Sequence, residues 1–218
     1  MRFTRDENYK RFNERLAVTH YPLVGVRVPT LRTMAKKLIK ENKWNEVLVE
    51  TPQYYEDVQL QSFILAAAPM AVNERQQQLE AFFPKMDNWQ VVDGLCTSLK
   101  EVTRYESEYW QWLKTLRISD ETFVIRFVVV MYLTYYLGDK YLEDVLTFFE
   151  TIEHDDYYVK MAVAWALSIA FIKNEEKLTA FFQETNINRW TYNKALQKII
   201  ESRQITAEMK QKVRNWKC

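Results

Sequence analysis

Glycine and proline are scarce in this chain, at three and five residues out of 218, against usual frequencies of roughly 7% and 5%. Sandwiches, barrels and dinucleotide-binding sheets need many glycine turns, so the shortage points to an all-α protein. Cysteine is scarce too. Cys96 and Cys218 give no disulfide framework, and Cys96, set in an apolar helical run, reads as a buried thiol. The two histidines, His20 and His154, lie far apart without CxxC or HExxH spacing, so no zinc site is expected. No stretch has 18 apolar residues free of charge, which excludes a membrane span. The opening Met1-Arg2-Phe3-Thr4-Arg5-Asp6-Glu7 has no apolar run of a signal peptide. These absences predict a reduced, cytoplasmic, soluble protein without metal or membrane partner, and a monomer is expected. The net charge of +1 means that any nucleic-acid surface must be a basic face balanced elsewhere.

What the chain does have is 48% hydrophobic and 15% aromatic residues, ample for a core. Its charged residues are mixed in sign along the chain and no segment is of low complexity. The apolar spacing is helical nearly throughout. It predicts helices near 4–17, 29–41, 43–50, 53–68, 71–82, 88–99, 105–116, 120–136, 140–151, 156–171, 174–183, 188–201 and 206–216. Short polar joints ending in Asp, Asn, Ser or Thr supply N-caps, and Val28-Pro29-Thr30 suits a helix start. Helix pairs begin near 53, 88, 120, 156 and 188, a period of roughly 32 to 36 residues typical of helical-hairpin repeats. Such pairs bury their apolar faces by stacking. The expectation is a single domain over residues 1–218, an α-solenoid of HEAT-like repeats with a concave face. A globular helix bundle is the alternative.

Four segments carry candidate chemistry. In Asn88-Trp89-Gln90-Val91-Val92-Asp93-Gly94 an indole and a carboxylate stand four apart, on one helix face, with a glycine beside the acid. An aromatic wall next to an acid holds a flat or cationic group and stabilises developing positive charge. In Phe123-Val124-Ile125-Arg126-Phe127-Val128 a lone arginine interrupts an apolar run. A buried arginine needs a carboxylate, an edge or an anion. Small residues surround Trp165 in Ala162-Val163-Ala164-Trp165-Ala166. Gly25-Val26-Arg27-Val28-Pro29-Thr30-Leu31-Arg32 is a turn feeding a basic helix that also carries Lys36 and Lys37. Each has a structural reading: a core tryptophan, a solvated lysine face, or an Asp93–Arg126 ion pair inside the fold.

In this order the segments resemble the AlkD-like DNA alkylation repair enzymes. That family has a Gly-Val-x-x-Pro-x-Leu-Arg helix start, then Trp-x-x-x-Asp, then a lone Arg, then an Ala-x-x-Trp helix. Here these are Gly25 to Arg32, Trp89 with Asp93, Arg126, and Ala162 with Trp165, and the match spans about residues 20 to 203. The sequence departs from the family's basic positions at Met161 and Ser168. The resemblance implies a HEAT-like solenoid that cradles duplex DNA and hydrolyses the N-glycosidic bond of N3- or N7-alkylated purines, with no metal or organic cofactor. It assigns catalysis to Asp93, Trp89, Trp165 and Arg126. Asp93 would stabilise the oxocarbenium-like sugar and orient water, the two indoles would flank the deoxyribose, and Arg126 would hold a phosphate. Arg27, Arg32, Lys36, Lys37, Lys160, Arg189 and Lys194 are the candidate DNA-binding residues. The alternative function is a non-catalytic HEAT-like module that binds DNA or a protein.

Overall fold

The computed structural model describes residues 5–217, and among them it has thirteen α-helices and no strand. They are α1 (Glu7–Glu14), α2 (Val28–Lys40), α3 (Trp44–Val49), α4 (Tyr55–Ala67), α5 (Val72–Phe82), α6 (Trp89–Cys96), α7 (Glu106–Leu116), α8 (Thr122–Tyr135), α9 (Asp139–Thr151), α10 (Tyr157–Lys173), α11 (Glu175–Glu184), α12 (Arg189–Glu201) and α13 (Ala207–Arg214). All thirteen expected helices are present. Met1 to Thr4 and Cys218 lie outside the described residues, and with them the expected start of the first helix at Thr4. The observed α1 is shorter than expected at both ends. The Asp6 carboxylate caps it by accepting from Tyr9 N at 2.9 Å, and the chain turns out after Glu14 to deliver the segment 16–20 elsewhere.

The chain divides into two compact units, Met1–Lys114 and Thr115–Cys218. In the first, α2 packs on α4 and α4 on α6, with α3 and α5 against α4. In the second, α10 packs between α8 and α12, with α11 against α10 and α13 against α12. Equivalent helices of successive hairpins therefore stack on one another within each unit, as a solenoid-like repeat requires. Helices α4, α6, α8, α10 and α12 start at 55, 89, 122, 157 and 189, each within two residues of the expected repeat starts.

A helix packed on several sides is apolar all round, and α4 buries eleven of its thirteen residues. Several of its polar groups are satisfied internally, while Gln59 Oε1 is buried without a hydrogen-bond partner. Gln61 Nε2 donates to the carbonyls of Val47 and Glu50, both at 2.8 Å, and Ser62 Oγ donates to Gln59 O at 2.7 Å. Arg75 closes the C-terminal end of α4 by donating to the carbonyls of Leu65 and Ala68, while its Nε meets Glu101 at 2.5 Å. The first unit's apolar cluster joins Val26, Leu31 and Ala35 to Trp44, Leu60, Phe63 and Ile64. Each fully buried side chain of this size contributes about 1.5–3 kcal/mol. Between α2 and α3, Asn42 has φ +55°. Lys43 N donates to Leu38 O and Asn42 N to Ile39 O, a Schellman ending in which asparagine supplies the left-handed residue.

Candidate active site

Within the first unit, α6 opens at Trp89, and Asn88 caps it by accepting from Gln90 N at 2.8 Å. Trp89 and Asp93 follow four apart on one face, both half-buried. Three successive residues at this helix start fasten the segment 16–20. Asp87 Oδ2 accepts from Thr19 Oγ1 at 2.7 Å and His20 N at 2.8 Å, and stands 2.6 Å from His20 Nδ1. Asn88 Nδ2 donates to Val18 O, and Trp89 Nε1 to Leu16 O, each at 3.2 Å. The indole beside Asp93 is thus oriented by a hydrogen bond as well as by packing. Gly94, read from the sequence as room for a close approach, turns its bare Cα to a neighbour instead. An added Cβ would meet the Phe63 ring at 3.5 Å, an ordinary contact.

Arg32 reaches the same helix from α2. Its guanidinium lies 4.2 Å over the Phe63 ring and donates to Ser98 Oγ at 2.9 Å, and Ser98 Oγ in turn donates to Gly94 O at 2.6 Å. Lys36, one turn further along α2, is exposed. Lys37 stands 3.7 Å from Glu41. Arg27 commits its charge within the protein. It grips Asp6 Oδ2 through Nε at 2.9 Å and Nη2 at 2.6 Å, and lies 5.4 Å over the Tyr9 ring. The backbone hydrogen bond from Tyr9, and after it Arg27, hold the Asp6 carboxyl below its usual range.

Sequence reasoning missed the residue that sets this region. Glu56, 5% exposed, accepts from the backbone N–H groups of Val24 at 2.9 Å, Gly25 at 2.6 Å and Val26 at 3.2 Å. One buried carboxylate cradles three consecutive amides and so fixes the turn before α2. Gly25 within it has φ +92°, and an added Cβ would stand 2.8 Å from Asp6 O. Only glycine fits there, because Asp6 N also donates to Gly25 O at 3.0 Å to seat α1. A glutamate at the start of an apolar helix, following Gly-Val by some thirty residues, has no pattern that announces this role.

In the second unit Arg126 is buried on α8, 5% exposed, and its Nη1 donates to Tyr158 O in the first turn of α10 at 2.7 Å. Trp165 is half-exposed on α10 between buried Ala162, Ala164 and Ala166. Ser168 is buried, 4% exposed, and donates to Trp165 O at 2.7 Å. That position points inward, which explains why a small residue stands there. Lys160 Nζ meets Asp155 at 2.7 Å and lies 5.5 Å over the Trp190 ring. Hydrogen bonding to that lysine holds the Asp155 carboxyl low. Arg189 is exposed at the first position of α12, where Asn188 accepts from Trp190 N at 2.9 Å. Lys194 is half-buried, with Nζ 3.2 Å from Gln197 Oε1. Lys198, one turn on, was not anticipated. It is half-buried, and burial, then the charges of Lys194 and Arg126, push its ammonium pKa down against the pull of the Glu201 carboxylate.

The stacked helical hairpins of each unit define a helical-repeat protein. The family model for DNA alkylation repair enzymes matches residues 2–199. The chain belongs to the DNA alkylation repair enzyme family. A solved structure, described as a predicted DNA alkylation repair enzyme from Enterococcus faecalis, is 14% identical with a TM-score of 0.66, over 92% of this chain and 99% of that one. At this identity the likeness establishes the shared fold. No curated protein matches the chain. Membership assigns it to the repair of alkylated DNA, with DNA as the substrate. No helix among the described residues is long and apolar enough to cross a membrane.

Proposed function

We propose that this protein is a DNA glycosylase that hydrolyses the N-glycosidic bond of N3- or N7-alkylated purines in duplex DNA. The observation that carries the reading is the Trp89–Asp93 pair. A half-buried carboxylate shares a helix face with an indole whose Nε1 is anchored 3.2 Å from Leu16 O. An alkylated purine already bears positive charge, so it departs with the bond's electron pair as a neutral base and needs no strong acid. Charge develops on the sugar as in other glycosidic cleavages. Asp93 opposes that charge, orients a water toward C1′ and takes up the proton the water loses. A preorganised carboxylate in a partly dry setting acts more strongly than one in bulk water.

The remaining roles follow the family resemblance. Trp89 and Trp165 supply aromatic faces to the cationic sugar, worth about 0.5–2 kcal/mol each. Arg126 holds a backbone phosphate, and Arg32, Lys36, Lys160, Arg189 and Lys194 contribute sequence-independent phosphate contacts. Arg27, Lys37 and Lys160 contribute less than the others, since each has an acidic neighbour. No metal or organic cofactor takes part.

The test is release of free base from duplex DNA carrying N7-methylguanine or N3-methyladenine. Asp93→Asn is expected to keep the fold and DNA binding while slowing excision on the order of 10²–10³-fold, the usual cost of removing one transition-state charge partner. Undiminished excision by that variant removes Asp93 from the reaction. No excision by the folded wild type replaces the enzyme with a non-catalytic DNA-binding repeat module.

A further inference from the structure

The first turns of α10 and α12 carry Tyr157 and Trp190, and both rings are exposed, at 54% and 39%. Capping fixes the backbone beneath them. Asp156 accepts from Tyr158 N at 2.7 Å, and Asn188 from Trp190 N at 2.9 Å. The two rings meet with 5.7 Å between centroids and 65° between planes. Tyr157 also meets Tyr158 edge-on at 5.5 Å, and Tyr158 lies 5.6 Å from Phe123 on α8. Four rings thus run across the starts of three stacked helices, half-buried at Phe123 and open at the Tyr157–Trp190 end. Lys160, paired with Asp155, places its Nζ 5.5 Å over the Trp190 ring. Among the described residues, Tyr157 Oη and Trp190 Nε1 make no hydrogen bond.

Aromatic side chains usually hide about 150–250 Å² each on folding, yet this pair is held open with its polar tips unused. A flat ligand answers that arrangement. Its face stacks on a ring, and its edge meets the phenol hydroxyl and the indole N–H. The flat group that the family's DNA substrate supplies is a nucleobase. Inside a duplex both faces of a base are covered by its neighbours, so only an unpaired base can stack here. We infer that Tyr157 and Trp190 form a stacking platform for an unpaired base of DNA, as an overhang or a displaced strand presents it. The charge pattern fits a base better than a phosphate, because Lys160 and Asp155 beside the rings sum to zero. Neither ring belongs to any assignment that the family motifs make. The inference rests on the DNA-directed reading above but not on excision, because stacking operates on undamaged DNA as well.

The experiment measures binding of three lesion-free DNAs by fluorescence anisotropy: a blunt duplex, the same duplex with a short adenine overhang, and one whose overhang is abasic. It compares wild type, Tyr157→Ala, Trp190→Ala, Trp190→Phe and, as a control, Ile118→Ala, whose side chain is exposed away from the rings. Wild type is expected to bind the adenine overhang more tightly than the blunt or abasic forms. Trp190→Ala should lower that preference about 5- to 100-fold, the usual effect of removing one stacking ring, and Tyr157→Ala should lower it as well. Trp190→Phe, which keeps a ring, should retain most of it, and the control should match wild type. Stacking releases no counterions, so the factor lost should be the same across about 50 to 200 mM salt. Equal binding of the adenine and abasic overhangs by wild type overturns the inference. So does an unchanged preference in a folded Trp190→Ala, or an equal loss in the control. A loss that vanishes as salt rises assigns the contact to the backbone and overturns the stacking role. A wild type that excises nothing yet prefers the adenine overhang leaves this inference standing and removes only the glycosylase. Excision without that preference does the reverse.

Discussion

The helix ends around the Gly25 turn in the first unit and the lysine pair of α12 in the second treat their charges in opposite ways. In the first, charges end on protein partners. Glu56 is spent on the amides of residues 24 to 26, Asp87 on Thr19 and His20, and Arg27 on Asp6. Each of these bonds ties a loop to a helix end, and the loops so tied flank Trp89 and Gly25. In the second unit Lys194 and Lys198 stand together on α12, with the Gln197 amide on Lys194 and the Glu201 carboxylate near Lys198. The difference separates two uses of charge. Satisfied charge fixes geometry, which an acid and an indole acting at one sugar require. Like charge gathered at a half-buried position costs stability instead, and it holds the Lys198 ammonium below its usual range.

Removing the Glu56 carboxylate should break this contrast most severely. Glu56→Ala leaves three consecutive amides without an acceptor beside a buried turn. Charge-assisted bonds contribute about 1.5–3 kcal/mol each, and unsatisfied buried donors add their own cost. Losses of about 3–5 kcal/mol are the usual result of breaking a buried charge arrangement from one side. Urea unfolding should show a loss in that range. Loosening of the Gly25 turn should also expose α1, and proteolysis should detect it first there. If Glu56→Ala unfolds within 1 kcal/mol of wild type (about the median single-site effect), the carboxylate does not hold the turn.

Trp89→Phe tests the next link with a smaller expected effect. It keeps an aromatic face on α6 and deletes only the Nε1 donor to Leu16 O. The cost in stability is about 1 kcal/mol, the usual net value of one hydrogen bond. Excision should fall more than that bond alone predicts, because the ring then pivots beside Asp93. The check is base release by Trp89→Phe measured beside its unfolding free energy. Excision equal to wild type would show that ring placement is set by packing alone.

How much of this was readable from sequence follows from the range over which each signal acts. Helical periodicity is local and repeats every turn, so all thirteen helices and the starts of the stacked ones were legible, from the low glycine content onward. Trp89 and Asp93 were legible because their relation is a spacing within one helix. Arg126 was legible as an anomaly in an apolar run, although its partner, the carbonyl of Tyr158, is 32 residues away and carries no side-chain signature. Glu56 was not legible for the same reason. Its partners are backbone amides 30 to 32 residues earlier, and every residue type has an amide. The inward turn of Ser168 depends on how α10 is rotated between its neighbours. Lys198 could have been found by asking which lysines stand four from Lys194.

The smallest effect is the most diagnostic of the contrast, because its sign is opposite. Lys198 has a folded-state pKa lowered from 10.5 by burial and by its cationic neighbours. A lysine of this kind binds fewer protons folded than unfolded between its two pKa values, so stability rises with pH through that window. Below both values the cost of the crowded charge is present in full, and above the unfolded value it has gone. Lys198→Gln, which removes the charge, should therefore unfold later than wild type at neutral pH, by a margin within about 0.5 kcal/mol as for other surface changes. The margin should close as the pH is raised to about 10. Thermal unfolding of both proteins in low salt across that range reads it directly. A variant less stable than wild type at neutral pH would mean that Lys198 serves the fold, as Glu56 does, and that the α12 pair does not differ from the Gly25 turn in how it uses charge.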